Sequence, residues 1–190
     1  ASEAVAGVAR ERGLQLHPDG ARLWNAVVPT GIPAARWAAP FDTATFCLSK
    51  GLGTPVGSLV CGPAERIRAV HRARKMLGGG MRQAGILAAA GLYALEHHVE
   101  RLAEDHHNAR RLEAGLERLG LRVDPAPETN MVLFEVPDGA AFLDATRARE
   151  LLVNPIAPQR FRAVTHLDVS QADVDEALAR IEEILKGARR

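Results

Sequence analysis

A lysine that is followed by glycines is the residue of this chain best suited to covalent chemistry. Lys50 comes after the β-branched and apolar run Thr45–Leu48 and before Gly51, Gly53 and Gly57. Elsewhere the chain takes its cations almost entirely from arginine, which stays protonated, whereas a lysine can lose its proton and attack a carbonyl. The pattern indicates a lysine that forms an imine. The alternative is an ordinary surface lysine in a loop.

The order of the lysine and the glycines excludes a nucleotide-type phosphate loop. That loop places its lysine after the glycines, at the start of a helix, whereas Ser49 and Lys50 precede them here. A glycine-rich turn directly after a buried strand instead lets the backbone approach a bulky ligand closely. We therefore predict that Lys50 is the Schiff-base lysine of pyridoxal 5′-phosphate (PLP).

PLP chemistry requires a carboxylate beside the pyridine nitrogen, anion-binding groups for the phosphate, and an arginine for the substrate carboxylate. Asp19 follows an expected strand, Leu14–Leu16, and Arg22 comes three residues later. Ligands of open α/β sheets bind beyond the carboxyl ends of strands, so both residues are expected in the same layer as Lys50. Asp19 fits the pyridine partner, and Arg22 and Arg162 are the candidates for the substrate carboxylate. Taken singly, each also fits a turn aspartate or a surface arginine.

The hydrophobic pattern predicts the elements that position these residues. In the first half, helices are expected over 2–12, 23–28, 64–76, 84–94 and 96–119, and strands over 43–48 and 57–61, the latter buried. The apolar helix 84–94 is expected to be buried or to lie at a subunit interface. After Gly120, strands are expected over 121–123, 130–136, 151–153 and 160–166, with helices over 138–149 and from a capping box at 170–173 to the end.

Composition excludes several classes of function. The 190 residues carry a net charge of +1 and only 4% aromatics, so no nucleic-acid partner is expected. No apolar run approaches the roughly 20 residues of a membrane span, and the N-terminus does not resemble a signal peptide. Cys47 and Cys61 are expected to be reduced core thiols, which indicates a cytoplasmic protein. The pairs His97-His98 and His106-His107 match no ligand spacing, so no metal site is expected.

Several long runs make a family resemblance visible. They are His17–Leu23, Phe46–Ser58, Arg74–Gly91, Glu104–Arg110 and Arg162–Val169. Through them essentially the whole chain resembles the low-specificity L-threonine aldolases, which are PLP enzymes of the aspartate-aminotransferase-like fold type I. The resemblance implies an α/β fold comprising the C-terminal part of the large PLP-binding domain (1–95), a connecting helix (96–120) and a small α+β domain (121–190).

The resemblance also implies a role for each site residue. Lys50 would hold the cofactor, Asp19 would pair with its pyridine nitrogen, and Arg22 and Arg162 would hold the substrate carboxylate. Lys75 and Arg82 match family residues that reach the cofactor site across a subunit interface. Family members are homotetramers, dimers of dimers with shared active sites.

The implied reaction is retro-aldol cleavage of L-threonine, L-allo-threonine and related β-hydroxy-α-amino acids to glycine and an aldehyde, a step of threonine catabolism and glycine biosynthesis. The alternatives are a serine hydroxymethyltransferase-like or β-eliminating PLP lyase, or a piece that is inactive or purely structural on its own. The third arises because the family's first half, with its phosphate cradle and a histidine that stacks on the cofactor, has no counterpart among residues 1–16.

Overall fold

The computed structural model describes residues 2–187, which form two compact units, Ala1–Leu102 and Ala103–Arg190. Each unit combines helices with an antiparallel sheet of its own. Among the described residues no helix has both the length and the apolar character needed to cross a membrane. The division into 1–95, 96–120 and 121–190 stays a prediction.

The first unit packs five helices around a two-stranded sheet. The helices are α1 (Ser2–Glu11), α2 (Leu23–Thr30), α3 (Ala34–Ala38), α4 (Ala64–Met76) and α5 (Gly85–His97). Strand β1 (Ala44–Cys47) pairs antiparallel with β2 (Ser58–Cys61), and Cys47 lies opposite Ser58. The buried core of the unit consists of Phe46, Leu48, Leu52, Ala94 and Leu102. It lies around β1 and the loop that follows it, the part of the chain that carries Lys50.

Two expectations for this unit are wrong. Leu14–Leu16 forms no strand, because Pro18 lacks the N–H that would extend a ladder; only Asp19 bridges Thr45, in parallel. The second is the burial of β2, where three of four residues are exposed, including Cys61. Strand β2 pairs only with β1 in the described part of the chain, so its other edge is not covered by a strand.

The helical stretch from residue 84 to 119 is broken into two helices. Helix α5 ends at His97, and α6 (Leu102–Arg118) begins after a turn in which the Leu102 N–H donates to the Val99 carbonyl at 3.2 Å. Much of the apolar surface of α5 faces outward: the exposed fraction is 83% for Ile86, 62% for Leu92 and 57% for Tyr93. Burial within the chain, one of the two expectations for this helix, is therefore wrong.

The second unit is a four-stranded antiparallel sheet with helices on it. The strands are β3 (Arg122–Val123), β4 (Met131–Glu135), β5 (Asn154–Ala157) and β6 (Arg160–Val164), in the order β3-β4-β6-β5; the helices, besides α6, are α7 (Gly139–Arg147) and α8 (Gln171–Gly187). Strand β5 begins three residues later than expected. The capping box of α8 is confirmed, because the Asp173 N–H donates to Ser170 Oγ at 3.2 Å and the Ser170 N–H donates to Asp173 Oδ2 at 2.8 Å.

Three phenylalanines form the centre of the second unit. The rings of Phe142 and Phe161 lie 5.2 Å apart at 71°, and Phe134 stacks on Phe161 at 5.8 Å. Val174, Ile181 and Ile184 of α8 complete the core on the face predicted from the sequence. Offset and edge-to-face rings of this kind contribute about 0.5–1.5 kcal/mol per pair beyond their buried area. This core holds β6, the strand that carries Arg162.

A bidentate ion pair joins α6 to α8 and makes this unit sensitive to acid. Arg111 donates to both carboxylate oxygens of Asp175, at 2.6 and 2.8 Å, and this hydrogen bonding lowers the pKa of Asp175 from its ordinary value of 3.8. A carboxylate whose pKa is lowered by folding stabilises the protein above its ordinary pKa, and that contribution is lost as the pH falls through the lowered value.

We expect Asp175→Asn to be less stable than the unmodified protein above about pH 4, and the difference to shrink as the pH falls below that value. Denaturant unfolding between about pH 6 and pH 2 measures it. Asp144→Asn is the matched control, since Asp144 forms no ion pair among the described residues. A difference that stays constant over the whole range would contradict the ion pair. Added salt should reduce the effect, because both side chains are partly exposed.

Candidate cofactor site

Lys50 lies in the loop that joins β1 to β2, residues 49–57, here called the Lys50 loop. Backbone hydrogen bonds fix both ends of this loop: the Leu48 N–H donates to the Gly57 carbonyl at 2.9 Å, and the Thr54 N–H donates to the Leu48 carbonyl at 3.2 Å. Within the loop the Gly53 N–H donates to the Lys50 carbonyl at 2.9 Å. The Lys50 side chain is exposed. A fixed backbone thus presents a primary amine at the end of a buried strand.

Glycine is required in this loop for two different reasons. Gly53 and Gly57 adopt positive φ angles of 71° and 121°, which other residues rarely do. Gly51 is buried, and a Cβ at this position would lie 2.9 Å from both Asn25 Oδ1 and Leu102 Cδ2. The residue next to Lys50 is therefore pressed against α2 and the start of α6.

A histidine also holds the Lys50 loop in place. His98, at the end of α5, has its Nδ1 2.7 Å from the carbonyl of the buried Leu52. A carbonyl only accepts, so Nδ1 carries the proton and donates. No spacing signal in the sequence connected His98 to residue 52.

Asp19 lies beside β1, although residues 14–16 before it form no strand. It bridges Thr45 in parallel, and its Oδ1 accepts from the Ala21 N–H at 3.1 Å. A Cβ on Gly20 would lie 2.5 Å from the Thr45 carbonyl oxygen, so the chain touches β1 here. The Asp19 side chain is exposed, and its carboxylate is available to a ligand.

Arg22 immediately follows this turn. It is the residue before α2, where its carbonyl accepts from the Asn25 N–H at 3.0 Å, and it is partly buried. Asp19, Arg22 and Thr45 contribute to the lining of one cavity of about 360 Å³, whose other walls include Trp37 and Phe41. The structure thus brings Asp19 and Arg22 together at one cavity. Lys50 lies outside its lining, in the loop after the strand that Asp19 contacts.

Lys75 and Arg82 lie in another segment, which runs from the last turn of α4 to the start of α5. Both are exposed, and the Lys75 side chain passes so close to Gly80 that a Cβ there would lie 2.6 Å from its Cδ. Among the described residues no hydrogen bond or ion pair joins either cation to Asp19 or Lys50. Their expected role at the cofactor stays a prediction.

Arg162 belongs to the second unit, where it lies in β6 opposite Leu133 of β4 and Asn154 of β5. Side chains alternate along a strand, so Arg162 is on the other face of the sheet from the core residue Phe161. Its Nε is buried without a hydrogen-bond partner among the described residues. An arginine fixed on a sheet face is suited to hold a carboxylate, and this role also stays a prediction.

The chain matches a known family over most of its length. The model of the family described as "Beta-eliminating lyase" matches residues 1–138. The chain is 49% identical over 172 residues to the low specificity L-threonine aldolase of Escherichia coli K12, covering 90% of this chain and 51% of that protein. It is 38% identical over 191 residues to low-specificity L-threonine aldolase 1 of Arabidopsis thaliana, covering 97% of this chain and 53% of that protein.

Solved structures show the same fold at low sequence identity. A threonine aldolase from Leishmania major superposes with a TM-score of 0.77 at 18% identity, covering 97% of this chain and 56% of that one. A serine palmitoyltransferase from Sphingomonas wittichii does so with a TM-score of 0.76 at 18% identity, covering 98% and 51%. The predicted α/β fold of type I is confirmed by these likenesses.

The resemblance read from the sequence motifs is likewise confirmed by the identities to the aldolases. The chain spans about half the length of these relatives, 51% and 53%. Since the family match extends over residues 1–138, well over half of the chain, the chain belongs to the beta-eliminating lyase family.

Proposed function

We propose that this chain is part of a PLP-dependent carbon–carbon lyase that cleaves L-threonine, L-allo-threonine and related β-hydroxy-α-amino acids to glycine and an aldehyde. The observation that carries the proposal is the exposed amine of Lys50 on a loop fixed at both ends, after the strand that Asp19 bridges. The identities to low-specificity L-threonine aldolases support the choice of substrate.

The donor set fits PLP. A primary amine can bond an aldehyde cofactor covalently, and an exposed carboxylate can keep a ring nitrogen protonated. Gly51, next to Lys50, packs against Asn25 and Leu102, and Gly20, next to Asp19, packs against Thr45, so close packing holds the backbone that presents both groups. When bound, PLP supplies an electron sink for the pair of electrons left when the Cα–Cβ bond breaks.

The chain's own residues would bind and orient the reactants. Lys50 holds the cofactor through Nζ, and Asp19 keeps the proton on the pyridine nitrogen. Arg22 and Arg162 provide guanidinium groups, which bind carboxylates through two parallel hydrogen bonds. We propose that Lys75 and Arg82 contribute positive charge to the cofactor site from a neighbouring subunit.

A homo-oligomer, a dimer of dimers with shared sites, is part of the proposal. It is supported by the apolar side chains exposed on and before α5: Leu77 is 87% exposed, Met81 64% and Ile86 83%. Large apolar side chains that are exposed in one segment are typical of a surface that contacts another chain. The two free thiols, Cys47 and Cys61, fit a reducing compartment such as the cytoplasm.

Product analysis tests the proposed reaction. We expect the full-length protein, loaded with PLP and given L-threonine or L-allo-threonine without folate, to release glycine and acetaldehyde in equal amounts. The name of the matched family favours β-elimination as a second candidate. Release of ammonia and a 2-oxo acid from a β-substituted amino acid such as serine, without cleavage of threonine, would support that candidate and contradict the aldolase. A strict requirement for folate would indicate a serine hydroxymethyltransferase-like enzyme.

A further inference from the structure

The segment that carries Asp19, residues 14–20 and here called the Asp19 segment, is attached to residues 42–45 by both backbone and side-chain bonds. The Leu16 carbonyl accepts from the N–H groups of Asp42 and Thr43, at 2.9 and 3.4 Å, and the Pro18 carbonyl accepts from the Thr45 N–H at 3.3 Å. In the opposite direction the Leu16 N–H donates to the side chain of Asp42, at 2.8 Å from Oδ2. Pro18 has no N–H to give, so a regular parallel ladder is not available here.

His17 supplies the bonds that the ladder lacks. Its Nδ1 lies 2.8 Å from Thr43 Oγ1, and its Nε2 lies 2.8 Å from Thr45 Oγ1. Thr43 and Thr45 are two positions apart, and both hydroxyls reach the same imidazole ring. Each hydroxyl can donate or accept, so either tautomer of the neutral ring, and the protonated ring as well, keeps both bonds.

The geometry points to His17 as a positioning residue: we propose that the imidazole, held between Thr43 and Thr45, fixes Asp19 in place for the cofactor. Asp19 is two residues from His17 and bridges Thr45, the same residue whose hydroxyl contacts the ring. This inference rests on the proposed function, because the group that Asp19 serves is the pyridine nitrogen of PLP.

The proposed role of Asp19 depends on the distance between its carboxylate and the pyridine nitrogen of the cofactor. A charge-assisted hydrogen bond between a carboxylate and a protonated ring nitrogen weakens steeply when its distance or angle changes. Near Asp19, Gly20 has no side chain and contacts β1 through its backbone alone. The hydrogen bond from the Thr45 N–H to the Pro18 carbonyl is long, at 3.3 Å. Without the two imidazole bonds, the segment would keep its bonds at Leu16, the long Thr45–Pro18 bond and the start of α2. The position of the carboxylate between them would then be less fixed.

The test uses isosteric substitutions in the full-length, PLP-loaded protein. His17→Phe removes both bonds, and Thr45→Val and Thr43→Val each remove one while keeping a β-branched side chain in the strand. His71→Phe is the matched control, because His71 is exposed on α4. Three quantities are measured for each: kcat and KM separately, the visible absorption of bound PLP as a function of pH, and the thermal midpoint.

We expect His17→Phe to lower kcat by about 10- to 100-fold with little change in KM, the size of loss that a misplacement of the order of 1 Å produces. The pH at which its visible band changes should shift in the same direction as in Asp19→Asn. Thr45→Val should show a smaller shift of the same sign, which keeps the test valid if His17→Phe does not fold. A purely structural role would lower the thermal midpoint and leave the band unchanged.

Two results would overturn the inference in distinguishable ways. If His17→Phe and Thr45→Val match His71→Phe in kcat and spectrum while Asp19→Ala is impaired, the bonds of His17 to the two threonines do not position Asp19. The proposed function then stands. If Lys50→Ala keeps the visible band, or Asp19→Ala turns over normally, the proposed roles of Lys50 or Asp19 themselves are wrong.

Discussion

Replacing Lys50 with alanine should abolish the visible absorption of the PLP-loaded full-length protein and reduce turnover by several orders of magnitude. In its proposed role the amine would bond the cofactor, and losing the covalent partner of a reaction removes nearly all of its rate. The effect on folding should be small. Lys50 is exposed, and the loop's fixing bonds run through backbone atoms of Leu48, Gly53 and Gly57, so the free energy of unfolding should change by less than about 0.5 kcal/mol.

Two further variants show what the loss at Lys50 means. Lys50→Arg keeps the positive charge and cannot form an imine, so it should behave like Lys50→Ala if the bond is what matters. Lys186→Ala, at an exposed lysine of α8 that pairs with Glu182 at 2.6 Å, should retain the band and the activity. Absorption spectra and steady-state rates measure both. A visible band that persists in Lys50→Ala, or an active Lys50→Arg, would show that another group carries the cofactor.

Asp19→Ala is expected to keep bound PLP but to lose about 10²-fold or more of kcat, the range found when a preorganised electrostatic contact is removed from an active site. In the proposed site the carboxylate would keep the pyridine nitrogen protonated, and an unprotonated ring withdraws electrons poorly. Binding should survive because Lys50, in its proposed role, would still hold the cofactor. Cofactor content after gel filtration and kcat with L-threonine are the two measurements.

The Asp19 side chain also accepts a hydrogen bond within a turn, and a second variant distinguishes the loss of that bond from the loss of the negative charge. Asp19→Asn keeps an oxygen that can accept from the Ala21 N–H, now at 3.1 Å from Oδ1, and loses only the charge. If the charge matters, Asp19→Asn should be nearly as slow as Asp19→Ala. Asp168→Ala, at an exposed carboxylate of the second unit, is the control that should keep normal rates. Near-normal turnover of both Asp19 variants would refute the electron-sink role.

The candidate site was predictable where local chemistry is decisive. Lys50 stood out because lysine is rare in this chain and because glycines follow it, and the structure shows why Gly51 and Gly57 are needed. The strand-end rule did not account for the position of Asp19, because residues 14–16 form no strand and Asp19 instead bridges Thr45 within β1. Asn25, His98 and His17 were not predicted, because they contact residues 26 to 46 positions away and such contacts leave no periodic signal.

The errors in the fold have related causes. Residues 14–16 form no strand: the Leu16 N–H is taken by the Asp42 side chain, and Pro18 interrupts a backbone ladder, so an apolar pattern alone overestimated the strand. The burial of β2 was wrongly predicted because a short run of apolar residues does not show whether another part of the chain packs on them. The second unit matched better, since its Phe134–Phe142–Phe161 core and the helix face of α8 follow clear periods of two and 3.6 residues.

The anchoring of the Lys50 loop has a consequence for motion. With the loop's ends closed on Leu48 and Gly57 and its middle held through Leu52 by His98, the peptide backbone has little freedom left at position 50. If Lys50 holds the cofactor as proposed, its amine would move only by rotation of the bonds of its own methylene chain. Side-chain rotations of exposed residues take picoseconds to nanoseconds, far shorter than a typical turnover. The anchored loop would therefore let the Lys50 side chain rotate away and return without a slow change of backbone conformation.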